Sequence, residues 1–141
     1  MKRFLIFLLL LVSGCGSNAT GPNRIDPDAA TEFTTTESGL KYRILRKSDG
    51  PKPKATDQVV VDYAGWLDDG SEFDSSYSRR EPATFQLNGV VAGWTEGVQL
   101  IGEKGMIELE IPPELGYGDQ GTGRIPPGAT LHFKIELLDI R

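Results

Sequence analysis

The sequence predicts an α+β domain in which an antiparallel sheet of five or six strands wraps around one short helix. Three observations predict it. Val59, Val61 and Tyr63 alternate with Val60 and Asp62, the period-two pattern of a sheet with two unlike faces, and Asp69-Gly70 follows as a hairpin signal. Near the C-terminus Leu131, Phe133, Ile135 and Leu137 alternate with His132, Lys134 and Glu136. Only residues 93–101 carry helical spacing, with Trp94, Val98 and Ile101 on one face. One helix cannot cover both faces of a sheet, so the strands are expected to be antiparallel and to curl over it.

Taken in order, the chain opens with Lys2 and Arg3, nine unbroken apolar residues over 4–12, and then Ser13-Gly14-Cys15. This is the layout of a secretory signal, assigned to residues 1–14. Nine residues rise only ~14 Å as a helix, against ~30 Å of hydrocarbon, so no spanning helix is expected there. Residues 15–36 are rich in Gly, Pro, Asn, Ser and Thr without periodicity, and are expected to be a flexible tether. The globular domain is assigned to 37–141. It starts with a strand over 40–44 and a loop at 48–53, followed by the hairpin just described. In that hairpin Phe73 and Asp74 stand side by side after the turn. Residues 77–82 read as a polar loop and 83–87 as a short strand closed by Asn88-Gly89. The helix follows, with Gly102 as its stop. A strand over 106–111 ends at Pro112-Pro113, and a Gly-rich loop leads to the last strand.

Composition narrows the function. The formal net charge is −5, and loss of Lys2 and Arg3 with the signal leaves 13 basic against 20 acidic residues, or −7. An acidic chain has no electrostatic case for nucleic acid or anionic lipid headgroups. Cys15 is the only cysteine, which excludes an intrachain disulfide. Gly116-Tyr117-Gly118-Asp119-Gln120-Gly121 matches a dinucleotide fingerprint, but the prolines before it and Ile125-Pro126 after it leave no strand–helix frame. His132 is the only histidine and sits on the polar face of a strand, so neither a metal site nor a histidine-based triad is expected, and no cofactor. Asp68, Asp69 and Glu72 read as a solvated hairpin tip. An enzyme built from these residues works without nucleophile, metal or histidine.

Three segments then fall into register. They are Gly70-Ser71-Glu72-Phe73-Asp74-Ser75-Ser76, then Val90-Val91-Ala92-Gly93-Trp94, and then Tyr117-Gly118 with Ile125-Pro126-Pro127-Gly128. Their order and spacing resemble the FKBP-type peptidyl-prolyl cis/trans isomerases over residues 37–141. The resemblance implies that fold, isomerisation of Xaa-Pro bonds in proline-containing polypeptides, and affinity for macrolides of the rapamycin type. It implies that Tyr63, Phe73, Val90, Val91, Trp94, Ile125 and Phe133 line a pocket, with Trp94 as its floor. Asp74 would accept hydrogen bonds at the rim and Tyr117 would donate to a substrate carbonyl. Phe85 reads as plain core. Three departures from the family pattern stand out: Ala83 where an aromatic is frequent, expected to open one rim; Leu115 where a tyrosine is common; and a loop over 119–125 that is one residue short, with Arg124 in place of a hydrophobe.

Val12-Ser13-Gly14-Cys15 looks like a bacterial lipobox. That implies cleavage before Cys15, lipidation of its sulfur, and a protein held at the cell envelope by lipid alone. Gly16 in place of an aspartate points to the outer membrane, facing the periplasm, where a cell has two membranes. A monomer is expected. The function expected is a lipid-anchored isomerase acting on exported proteins. The alternative is a chaperone module that holds proline segments with little turnover.

Overall fold

The computed structural model describes residues 23–141. The signal segment, Cys15 and the first part of the expected tether lie outside them. Seven antiparallel strands form one sheet: β1 (Thr34–Thr35), β2 (Lys41–Arg46), β3 (Gln58–Trp66), β4 (Glu72–Ser75), β5 (Ala83–Gln86), β6 (Met106–Ile111) and β7 (Leu131–Ile140). Their order is β1-β2-β6-β7-β3-β4. β5 shares the outer edge of β3 with β4: β4 pairs with residues 64–66 of β3, and β5 with 58–61. The short helix α1 (Ser76–Arg79) fills the gap between them. The second helix, α2 (Ala92–Val98), lies across the concave face.

The periodicity places the core. Val59, Val61 and Tyr63 on β3, Ile107, Leu109 and Ile111 on β6, and Leu131, Phe133, Ile135 and Leu137 on β7 are all buried under α2. Trp94, Val98 and Ile101 enter from the helix side, as their spacing predicts. Gly93 and Gly97 set how close α2 comes. A Cβ on Gly93 would lie 2.7 Å from Ile111, and one on Gly97 would lie 2.6 Å from Leu109. The helix therefore rests with its backbone against β6, which lowers Trp94 between the strands.

Four local expectations change. Residues 77–82 are not simply a polar loop, because Ser75 Oγ accepts from the Ser78 N–H at 3.2 Å and caps the turn of α1. α2 ends at Val98, before Gly102; a Cβ on Gly102 would collide with the Gly50 carbonyl, so this glycine serves close packing and not the helix end. Glu136, on the row of β7 that alternates with the core residues, is itself only 3% exposed. Its carboxylate receives Arg46 Nη2 at 2.7 Å and the Tyr77 hydroxyl at 3.1 Å, so a charge on the outer row is covered and paired. Residues 23–36, placed in the tether, lie along the sheet. The Asp26 N–H donates to the Leu45 carbonyl at 2.8 Å, and Arg46 Nη1 donates to the Arg24 carbonyl at 2.9 Å.

Candidate active site

The cavity opens where the β3–β4 hairpin, α2 and the loop between β6 and β7 meet. It encloses about 630 Å³. All of the residues expected from the sequence line it: Tyr63, Phe73, Asp74, Val90, Val91, Trp94, Tyr117, Ile125 and Phe133. They come from five places in the chain, and the sheet register joins them. Phe133 on β7 sits opposite Gly65 on β3 and Leu109 on β6.

Gly65 makes room for the wall. A Cβ there would lie 2.7 Å from both the Phe133 and the Phe73 rings. Real Cβ contacts are not that short, so any other residue would push those rings into the cavity or apart. Phe73 and Phe133 meet edge to face, centroids 5.5 Å apart at 88°.

Trp94 forms the floor and is 4% exposed. Tyr63, Phe85 and Phe133 stand nearly perpendicular to it, at 5.2, 5.5 and 5.3 Å between centroids. Three such contacts fix the indole plane, each adding about 0.5–1.5 kcal/mol beyond burial. Phe85, expected as core alone, is also a cavity residue. Its place in an alternating strand signalled burial, and nothing in the strand pattern separates a core ring from a wall ring. Ala83 and Leu115 pack against the core and do not line the cavity.

The polar rim is a closed cluster. Asp74 Oδ2 accepts from the Tyr63 hydroxyl at 2.5 Å, and Oδ1 accepts from Arg79 Nη1 at 2.5 Å and the Ser75 N–H at 2.9 Å. Arg79 Nη2 also donates to the Tyr63 hydroxyl at 3.2 Å. Sequence reasoning missed Arg79. The signal was the Ser75 cap: it starts a helical turn that returns Arg79, five residues on, to Asp74. Burial by itself would raise the Asp74 pKa. The bonds from Tyr63 and Arg79 outweigh it, and the carboxyl titrates below its ordinary 3.8. The Tyr63 hydroxyl is pushed up, first by burial and then by the carboxylate it serves.

Across the opening, Tyr117 is 42% exposed. Its loop folds back on itself: the Gly118 N–H donates to the Pro113 carbonyl at 2.8 Å, and the Gly128 N–H to the Gly118 carbonyl at 2.9 Å. Ile125 is the buried anchor of that loop, 8% exposed. The site thus offers an aromatic hollow, an ionised and occupied carboxylate at one lip, and a free-standing phenol at the other. Among the described residues no nucleophile of the cavity stands beside a base, so the arrangement suits recognition of an apolar ring and reshaping of a bond next to it.

The lowered Asp74 pKa has a defined sign. The Asp74 cluster stabilises the fold fully above pH 3.8, and that contribution is lost as pH falls through the lower folded value. A carbon-detected NMR titration of the Asp74 carboxyl is expected to give a midpoint below 3.8, rising in Arg79→Ala. A midpoint above 3.8 in the parent protein would contradict the cluster.

Comparison with known proteins gives a consistent result. Residues 50–138 match the family described as FKBP-type peptidyl-prolyl cis-trans isomerase. The chain is 51% identical over 107 residues to the FKBP-type peptidyl-prolyl cis-trans isomerase FkpA of Escherichia coli K12, covering 76% of this chain and 40% of that protein. It is 51% identical over 110 residues to a probable FKBP-type isomerase of Haemophilus influenzae, covering 77% and 46%. The chain therefore spans less than half the length of these curated relatives. Among solved structures, Escherichia coli FkpA superposes with a TM-score of 0.77 at 49% identity over 79% of this chain and 53% of the other. AtFKBP13 superposes with a TM-score of 0.71 at 35% identity, over 78% of this chain and 99% of that one. The matched stretch contains every cavity residue named above, and the chain belongs to the FKBP-type peptidyl-prolyl cis-trans isomerase family.

Proposed function

We propose that this chain catalyses cis/trans isomerisation of Xaa-Pro bonds in exported polypeptides, while a lipid on Cys15 holds it at the cell envelope. The observation that carries the catalytic part is the Trp94 floor, walled by three perpendicular rings and facing Tyr117 across the mouth.

The chemistry asks little of side chains as reagents. The barrier is amide resonance, ~18–20 kcal/mol, and no covalent bond is broken. As the bond twists, nitrogen pyramidalises and the carbonyl ceases to be conjugated. A catalyst needs only to hold that twisted form better than either planar one. The proline ring stacks on Trp94 between Tyr63, Phe73, Val90, Val91, Ile125 and Phe133, with water excluded from the nitrogen face. Tyr117 donates its hydroxyl to a carbonyl of the bound segment. Asp74 keeps Tyr63 and Arg79 in place and so shapes the lip; its own acceptors are already occupied by the chain. The same hollow suits an apolar ring of a rapamycin-type macrolide. A prolyl isomerase assay with and without rapamycin tests both. A folded protein without turnover that still binds proline peptides would establish a chaperone module instead.

Tyr117→Phe removes one positioned hydrogen bond and no nucleophile. It is expected to lower kcat/KM by roughly ten- to hundredfold, about 1.4–2.7 kcal/mol. Abolished activity in a folded variant would assign Tyr117 a different role.

The anchoring part rests on the apolar run over 4–12 and the lipobox-like Val12-Ser13-Gly14-Cys15. An acylated Cys15 carrying more than one chain gives stable attachment. The location proposed is the outer membrane facing the periplasm, or the outer face of the cell membrane where only one exists, with the protein acting as a monomer. Cys15→Ser is expected to yield unprocessed precursor or soluble protein. Partitioning into detergent equal to the parent would sink the lipid assignment.

A further inference from the structure

The geometry points to Arg124 as a specificity-determining residue of the cavity, one that favours a carboxylate side chain on the residue immediately before the proline. This rests on the isomerase reading of the same site. Arg124 occupies the tip of a two-residue turn. The Thr122 N–H donates to the Ile125 carbonyl at 2.9 Å, and the Ile125 N–H donates back to the Thr122 carbonyl at 2.6 Å. With Ile125 buried as the anchor, the turn holds Arg124 outward on the cavity wall. The loop's length and backbone thus fix the base of a long cationic side chain at the mouth.

The charge there has no partner of its own. Among the described residues no carboxylate lies within ion-pair distance of Arg124, whose one hydrogen bond is a long 3.5 Å contact to the Phe73 carbonyl. Asp74 is the one acidic residue on the wall, and Arg79 and Tyr63 already occupy its oxygens. Among the residues lining the cavity Arg124 is the one cation, and the one anion, Asp74, is already paired with Arg79. A surface guanidinium is usually only solvated. This one borders an aromatic hollow whose ligand brings its own backbone into reach. With the proline ring on Trp94, the preceding Cα is one peptide unit away, ~3.8 Å from the proline Cα in the trans form and ~2.9 Å in the cis form. Its side chain therefore emerges at the mouth, where a guanidinium meets a carboxylate in a two-pronged geometry.

The test uses the full chain and peptides that differ only before the proline, with Glu, Gln, Leu or Lys there. The parent, Arg124→Gln and Arg124→Lys are assayed at low salt and at ~0.5 M salt, where charges beyond a few ångströms are screened. In the parent at low salt the Glu peptide is expected to exceed the Gln peptide in kcat/KM by about two- to fivefold, as for a partly exposed ion pair. Lys should fall below Gln. The Glu preference should vanish at high salt and in Arg124→Gln, and persist in weakened form in Arg124→Lys. An equal Glu-to-Gln ratio in the parent and Arg124→Gln overturns the proposal. Absence of turnover with the Leu peptide would instead bring down the isomerase reading. The Glu-to-Gln ratio is then read from peptide binding by tryptophan fluorescence, where the same comparison of parent and Arg124→Gln decides.

Discussion

Everything in the site depends on the space left empty at Gly65. Two aromatic rings, Phe73 from the neighbouring strand and Phe133 from the strand on the other side, occupy the volume that a side chain there would fill. Because they lean over the same point, they meet edge to face and leave one continuous apolar wall. Trp94 completes the enclosure from below. It reaches that depth because Gly93 and Gly97 let the helix backbone touch β6. Three glycines on two elements thus set the height of the floor and the tilt of the wall. A cavity in a small domain is costly, since its lining forgoes dispersion contacts. Here the contacts of Trp94 with the three rings around it replace part of them.

The polar lip follows a different logic. Asp74 lies at the edge of an apolar hollow, where an unpaired charge would be unfavourable. Tyr63, Arg79 and the Ser75 N–H hold it as a carboxylate and leave it little capacity for a ligand. Its contribution is positional: it locks the Tyr63 hydroxyl away from the cavity centre and ties α1 to the hairpin. That division suits a reaction in which no bond is broken. Under the proposed isomerase function, the hollow would supply desolvation and shape, and Tyr117 on the opposite lip would supply the donor.

The strands of the sheet were legible because burial on one face imposes a period of two, and β6 and β7 are flanked by unambiguous breakers. The cavity residues were legible through their resemblance to a family, since no local pattern distinguishes Trp94 as floor from Trp94 as core. What escaped was tertiary. Arg79 reaches Asp74 only because a single helical turn, too short to have a period, folds it back. Phe85 alternates like any core residue, and its second neighbour is a void. Glu136 sits on the row that alternation assigns to solvent, yet residues 23–24, Arg46 and Tyr77 cover it. The helix lies where the spacing of Trp94 and Val98 puts it but ends at Val98, and Gly102, which resembles a helix stop in sequence, instead packs against Gly50.

The empty volume at Gly65 shapes the aromatic wall, and Gly65→Ala probes that dependence. Isomerisation of a Leu-Pro peptide and urea unfolding are to be measured on the same preparation. The account predicts a cooperative fold with stability reduced by about 1–3 kcal/mol, as for a crowded core site, and kcat/KM lowered by at least about tenfold as Phe73 and Phe133 are displaced. A folded variant with parental kcat/KM would contradict it.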